Sequence, residues 1–502
     1  MTRSAHAAAP PAAARVDASG VTAPIWRTGL EALASLKLTV ALFALSIVLV
    51  LAGTLAQVDQ GIWIIMSRYF RAWWVPIEFG LFFPRDWKVP YALPFPGGWT
   101  LGGLLLANLL AAHALRFKIK ARGGRLYAGL GLGALGTAVV LLALSGRGGV
   151  ESFYAQLVVS SVGSLILLPA SMLLFNQRAG VVLLHAGIIV MLVSELLTGL
   201  YAREANMVLE EGSFANHISD SRHYELAFID ASDPARDRVV VVPQELMQRH
   251  KPRMSATGEV TAPGEFFSHP LLPVRVRIDA FYSNATLEGT PGRGGPAKPD
   301  RPNLATRGAG REVGLRMDPR ATGTGEDNVE YPAAYVTFET PEGGPIGTHM
   351  LSCMWNAPVD EFEVGGRKWK PVLRFRREYL PFEVHLSEAR HDVFTGTDIP
   401  RNFSSRVRIE DRERGRSRDA LISMNNPLRY RGETMFQFQM AAGEGRSVLQ
   451  VVRNPAWGGP YVSCVVVALG MLMHFGLSLG RFVDKQLKQE VVADAGQAQV
   501  KS

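Results

Sequence analysis

Only two cysteines occur in the 502 residues, Cys353 and Cys464, and they sit in segments of opposite character. Neither a disulfide framework nor a CxxC zinc or redox motif is therefore available. The first 24 residues, MTRSAHAAAPPAAARVDASGVTAP, have no hydrophobic run and no clear cleavage site. They read as an Ala/Pro-rich disordered tail rather than a signal peptide, which leaves the export signal to the first apolar segment. No internal repeat is present, and only Pro169 interrupts an apolar run, so the paired broken helices expected of a transporter are missing. The net charge is +8, but the basic residues cluster beside apolar segments, where the cytoplasmic flanks of membrane helices collect them. No nucleic-acid partner is needed to explain the basicity.

What the chain does contain is two kinds of sequence, averaging to a mean hydropathy of +0.09. Apolar runs extend from Leu38 to Ala56, Trp99 to Leu115, Leu126 to Gly146, Phe153 to Phe175, Gly180 to Tyr201 and Tyr461 to Gly480. Each approaches the ~20 residues that cross a bilayer core, which predicts six spans. The third is rich in glycine and alanine and the fourth contains Pro169, so both are expected to pack against other helices. Arg116, Lys118, Lys120, Arg122 and Arg125 follow span two, Arg178 precedes span five, and Arg481, Lys485 and Lys488 follow span six. The positive-inside rule puts these, and both termini, on the cytoplasmic side. The stretch 58–96, with Trp63, Tyr69, Trp73, Trp74, Trp87 and Tyr91, then lies outside and suits an interfacial aromatic belt.

From Tyr201 to Pro455 the pattern changes to period-two runs, such as HYELAFI, DRVVVV, VRVRIDAF, AAYVTFE, FEVHLSE, SRVRIED and ETMFQFQM, separated by turn residues. An antiparallel β-domain is expected. Between Leu287 and Asn328 the composition collapses to Gly, Pro and charged residues, which predicts a mobile insertion. The expected organisation is a tail over 1–30, a five-helix membrane bundle over 31–201, an external β-rich domain over 202–455 with a flexible insertion at 287–328, a final transmembrane helix over 456–482 and a cytoplasmic tail over 483–502. The fold class is thus a polytopic α-helical membrane protein with a large external, mainly-β domain.

Ionisable groups at membrane depth are costly and mark functional sites. His185 lies five residues, about 8 Å at 1.5 Å per residue, into span five from its cytoplasmic start. His113, three residues before Arg116, falls at about the same depth on span two, and His474, seven before Arg481, somewhat deeper on span six. Two imidazoles at one depth either share a metal centre or flank one inner-leaflet cavity. Glu195 lies near the outer end of span five, where its carboxylate either pairs with Arg203 or reaches the interface by snorkelling. Outside, Arg374, Arg376 and Arg377, or Arg429 and Arg431, are candidate carboxylate-binding groups, with a solvated strand face as the ordinary alternative. DRERGRSRD, from Asp411 to Asp419, reads as a hairpin loop, and His385 and His391 as ordinary β-domain residues.

Four stretches together resemble the ResB/CcsB family of System II cytochrome c biogenesis: SLKLTVALFALSIVLVLAGTLAQ; the HAG of His185 to Gly187 with the following LEEG; NNPLRYRGETMFQFQM; and VVRNPAWGGPYVSCVVVALGMLMHF. The five helices counted before the β-domain exceed the family's usual three. The resemblance implies a membrane complex, shared with a ResC/CcsA-like partner, that passes haem across the cytoplasmic (inner) membrane and presents it to the CxxCH of apocytochrome c. It implies haem b held by histidines, with His185 as the first candidate ligand to haem iron and His113 and His474 after it. Such families leave the tryptophan-rich haem-presenting motif to the partner, and RAWWVP does not reproduce it. A non-catalytic or partial subunit of a haem-attachment complex is implied. Cys353, on the outer side, is either placed to exchange disulfides with apocytochrome thiols or, as is commoner, simply a lone buried cysteine. The competing reading is an ion-coupled transporter or membrane sensor with an external ligand-binding β-domain.

Overall fold

Among the described residues of the computed structural model, six helices are long and apolar enough to cross a membrane: Leu36–Ala56, Gly98–Leu115, Gly124–Ser145, Phe153–Phe175, Ala179–Tyr201 and Gly459–Gln489. They coincide with the six apolar runs and are called spans one to six. The structure describes residues 25–500 except 59, 61, 85–86, 88, 117, 120, 147–152, 234–236, 256–258, 289–300, 318–328, 355–356, 397–399 and 442–444. The chain divides into two compact units. One holds Ile65–Tyr201 with the stretches up to Leu55 and from Pro455, the other Ala202–Asn454 with Ala56–Ile64.

Small residues decide how the membrane helices meet. On span three, Gly129 and Gly136 sit against Leu174 and Leu167 of span four, whose Gly163 in turn meets Val140. Spans three and four therefore pack closely, as their glycine content predicts. On span five, Gly180, Gly187 and Ser194 recur every seven residues and face span six. Gly180 meets Gly470 and the backbone of His474, Gly187 meets Val467, and Ser194 meets Gly459. Ser463 Oγ donates to the Gly187 carbonyl at 2.7 Å across this seam.

Both ends of this unit depart from expectation. Residues 25–30, assigned to a tail, belong to the helix Ile25–Leu33. Residues 1–24 lie outside the described residues. The last helix does not stop near residue 482 but runs as Gly459–Val500, 42 residues. That is about 63 Å, roughly twice a hydrocarbon core. The sequence FVDKQLKQ after Arg481 has no glycine or proline and is mostly good helix formers, so nothing ends the helix at the membrane. The aromatic stretch is built too: Trp74–Glu78 pairs antiparallel with Ala92–Pro96. Tyr69 is buried beneath it, while Trp73, Trp74, Trp87 and Tyr91 are exposed.

The second unit is mainly β. Ten strands form one sheet, with the central order Arg416–Ser423, Pro400–Asp411, Arg367–Val393, Phe214–Asp230, Arg203–Glu210, Arg446–Arg453, Glu433–Ala441 and Leu428–Tyr430. Neighbours are antiparallel. Alternation sets the two faces: Phe382, Val384 and Leu386 join Val407, Ile409, Met207 and Leu449 in one core cluster, while Glu383 and His385 point the other way. A second cluster packs Val276, Ile278, Val336 and Phe338 of a three-stranded sheet against Leu226, Phe228 and Leu373 of the large one. The NPLRYRG stretch is a hairpin. Arg431 and Gly432, at φ 48° and 86°, form its two-residue turn, and Tyr430 pairs with Glu433, as a type I′ turn requires. Tyr430 Oη and Arg431 both donate to buried Asp411, at 2.7 and 3.1 Å.

The expectation of a mobile insertion over 287–328 is corrected for 301–317. Gly314–Met317 pairs with Ala285–Glu288, Leu315 and Leu287 are buried with Tyr335 and Met350, and Asn303 Nδ2 donates to the carbonyls of Gly310, Arg311 and Val313. Two or three well-placed apolar residues suffice, because they enter an existing core; average composition over the stretch hides them. Residues 289–300 and 318–328 lie outside the described residues.

Candidate functional site

Two of the three intramembrane histidines face each other. The rings of His113 on span two and His185 on span five meet edge to face, centroids 5.0 Å apart. His113 Nδ1 lies 2.9 Å from the carbonyl of Leu109, one turn back on its own helix. A carbonyl only accepts, so in the neutral ring Nδ1 carries the proton and Nε2 the lone pair, the tautomer of a metal-binding imidazole with a backbone partner. The equal depth expected of the two residues thus corresponds to contact. His474 is elsewhere: its backbone crosses Gly180 on span five and its ring meets Phe475. Gly180 is five residues, about 8 Å, before His185, so His474 lies shallower than His185 rather than deeper.

The helix carrying His113 is anchored by a residue that pattern reading passed over. Asn108, 5% exposed, accepts from Thr39 Oγ1 at 2.7 Å and donates to the carbonyls of Leu33 and Ser35 at 2.5 and 3.1 Å. Both carbonyls lie at the break between Ile25–Leu33 and span one, where that of Ser35 also accepts from the Thr39 backbone N–H at 3.2 Å. A lone amide inside an apolar run was the available signal.

The donor set can be tested against a haem. Two imidazoles on opposite faces of one iron need two bonds of about 2 Å each, plus the half-ring beyond each nitrogen, and this exceeds 5.0 Å. As arranged, only one of the two rings could hold a given iron, with the other beside it.

In the β-domain the arginines proposed for carboxylate binding are largely held by the protein's own carboxylates. Arg374 Nε donates to Glu225 at 2.8 Å, both buried; Arg376 pairs with Asp220 at 3.0 Å; Arg431 pairs with Asp411 and Glu413. Arg429 donates to Thr434 at 3.0 Å. Arg203 pairs with Glu378 and Glu433 rather than Glu195, and Glu195 is exposed on span five. Burial, then the Glu225 charge, push the Cys353 thiol far above its usual range. A thiol so hard to ionise is a poor nucleophile for disulfide exchange.

Burial, with the charges of Arg377 and Arg374, also lowers His217 from 6.5 to about 4. Its ring lies 5.9 Å from that of Tyr379. The fold therefore requires the neutral ring, whereas the unfolded chain takes up a proton first. This contribution to stability is complete above pH 6.5 and is lost as the pH falls toward about 4. His217→Gln should flatten the acid dependence of the β-domain's thermal midpoint in that window; equal dependence in both proteins would remove His217 as its source.

Six membrane helices and a large mainly-β domain make this a multi-pass helical membrane protein with one dominant β-domain. Residues 356–461 match the ResB-like family, in agreement with the resemblance of the sequence to ResB/CcsB. That family is associated with cytochrome c biogenesis. The matched segment runs from the central strands through the NPLRYRG hairpin to the first turn of span six, and His113, His185 and His474 lie outside it. No curated protein matches the chain.

Proposed function

We propose that this chain is the ResB-like half of a System II cytochrome c biogenesis complex, handling haem within the membrane together with a ResC/CcsA-like partner and supporting its attachment to apocytochrome c. The observation that carries the reading is the contact between two intramembrane imidazoles, His113 and His185, in a chain whose residues 356–461 match the family. Ionisable rings at membrane depth are costly, which supports a functional site there. In this reading His185 would be this chain's residue that holds a haem b, with His113 edge-on beside it, and the ResC/CcsA-like partner would share in holding the group. The haem, when bound, supplies the iron and the vinyl groups to be joined to apocytochrome thiols. This chain contributes binding and orientation, and no catalytic group is assigned to it.

The same reading places the protein in the cytoplasmic (inner) membrane, with both termini inside and the β-domain outside. A reporter active only outside the cytoplasm should work when fused after Gly212 and stay silent after Arg122 or Lys488. Activity after Arg122 would contradict the arrangement. Deleting the whole chain from a host that relies on it should leave apocytochrome synthesis intact and abolish covalently bound haem in its c-type cytochromes; unchanged haem staining would remove the proposed role.

A further inference from the structure

Glu383, His385 and Glu410 form a three-donor cluster on the outward face of the ten-stranded sheet, and the family reading uses none of them. Glu383 and His385 are two apart on Arg367–Val393, hence on one face, and Glu383 is directly opposite Glu410 on Pro400–Asp411. His385 Nε2 lies 3.3 Å from Glu383 Oε2 and 3.6 Å from Glu410 Oε2. One donor atom from each residue falls within 4.8 Å of the other two. Phe214, the neighbour of His385 on Phe214–Asp230, stacks on its ring at 5.1 Å and so fixes the direction in which Nε2 points. All three side chains are partly exposed, at 17%, 31% and 40% in the order Glu383, His385, Glu410, so an ion can reach them from solvent.

We propose that Glu383, His385 and Glu410 bind a divalent transition cation of the zinc class. One imidazole and two carboxylates are a borderline donor set that suits zinc, whereas calcium and magnesium take oxygen ligands. Three protein ligands on a rigid strand pair leave a fourth position to water. Arg412, 79% exposed, now donates to Glu383 at 3.1 Å; it occupies the carboxylate without being trapped there, and a cation displaces it. The bound ion then ties Arg367–Val393 to Pro400–Asp411 across their outer face.

The test is a competition titration of the detergent-solubilised, metal-stripped full chain with zinc against a chromogenic indicator. Because the intramembrane histidines also bind zinc in principle, the result is read as a difference between variants. Wild type should bind one equivalent that His385→Ala loses, and Glu410→Gln should weaken the same site by more than about tenfold, since even outer-shell partners of a metal are worth about 10–100-fold. Arg412→Ala should bind zinc at least as tightly as wild type, and zinc should raise the thermal midpoint of wild type but not of His385→Ala. Equal zinc binding by wild type and His385→Ala, or no binding by a folded wild type, would mean that the three side chains form an ion pair and nothing more. Tighter binding by wild type that Arg412→Ala abolishes would equally overturn the proposal.

Discussion

His185→Gly should lower the yield of holocytochrome c at least about tenfold while the protein still accumulates in the membrane, since losing even an outer partner of a metal ligand costs about 10–100-fold. The glycine removes the nitrogen and leaves a ring-sized space beside His113, whose ring now lies 5.0 Å away. Imidazole added to the medium should enter that space and restore part of the yield. His113→Gly should cost less, because that ring is held by its own helix through Leu109 and acts beside the ligand. A purely structural histidine gives the opposite pattern: protein levels fall with the yield and imidazole does nothing. If His113→Gly instead abolishes maturation and His185→Gly does not, the two roles are exchanged.

The second large effect is expected at the seam between spans five and six. A side chain at Gly187 would meet Val467 and the backbone of span six, which cannot give way as a flexible side chain does. It would also push Ser463 off the Gly187 carbonyl. Gly187→Leu should therefore drive the two helices apart and cost at least the 1–3 kcal/mol typical of overpacking, reducing the monodisperse fraction in mild detergent several-fold. Gly131→Leu on span three is the control, because nothing lies within 4 Å of the Cβ it would add; it should leave the elution profile unchanged. Equal behaviour of the two variants would show that the seam does not hold the helices together.

Transmembrane segments were legible because lipid imposes its own length and polarity on a sequence. The run from Phe153 to Phe175 coincides with its helix, and the others agree to within a few residues except where FVDKQLKQ carries the last helix onward. The β-strands were legible for the same kind of reason: Arg275–Tyr282, within the run VRVRIDAF, alternates buried and half-buried residues along its length as a period-two strand must. Contact was harder to read. The depths of His113 and His185 follow from counting residues, but that their rings meet depends on which helices are neighbours, and hydropathy does not encode this. The seven-residue spacing of Gly180, Gly187 and Ser194 was present in the sequence as a helix-packing stripe. The cluster at His385 could not be found by spacing, because Glu410 joins it only through the register of two long strands. Composition misled at 301–317, where Leu315 and Asn303 order a stretch whose average is polar.

The most direct measurement of the central claim is the Soret absorbance of the detergent-purified chain, co-expressed with a ResC/CcsA-like partner, as wild type and as His185→Gly with and without imidazole. The account predicts a haem Soret band in wild type, its loss in His185→Gly, and its partial return when imidazole is added. An identical haem content and spectrum in wild type and His185→Gly would contradict it.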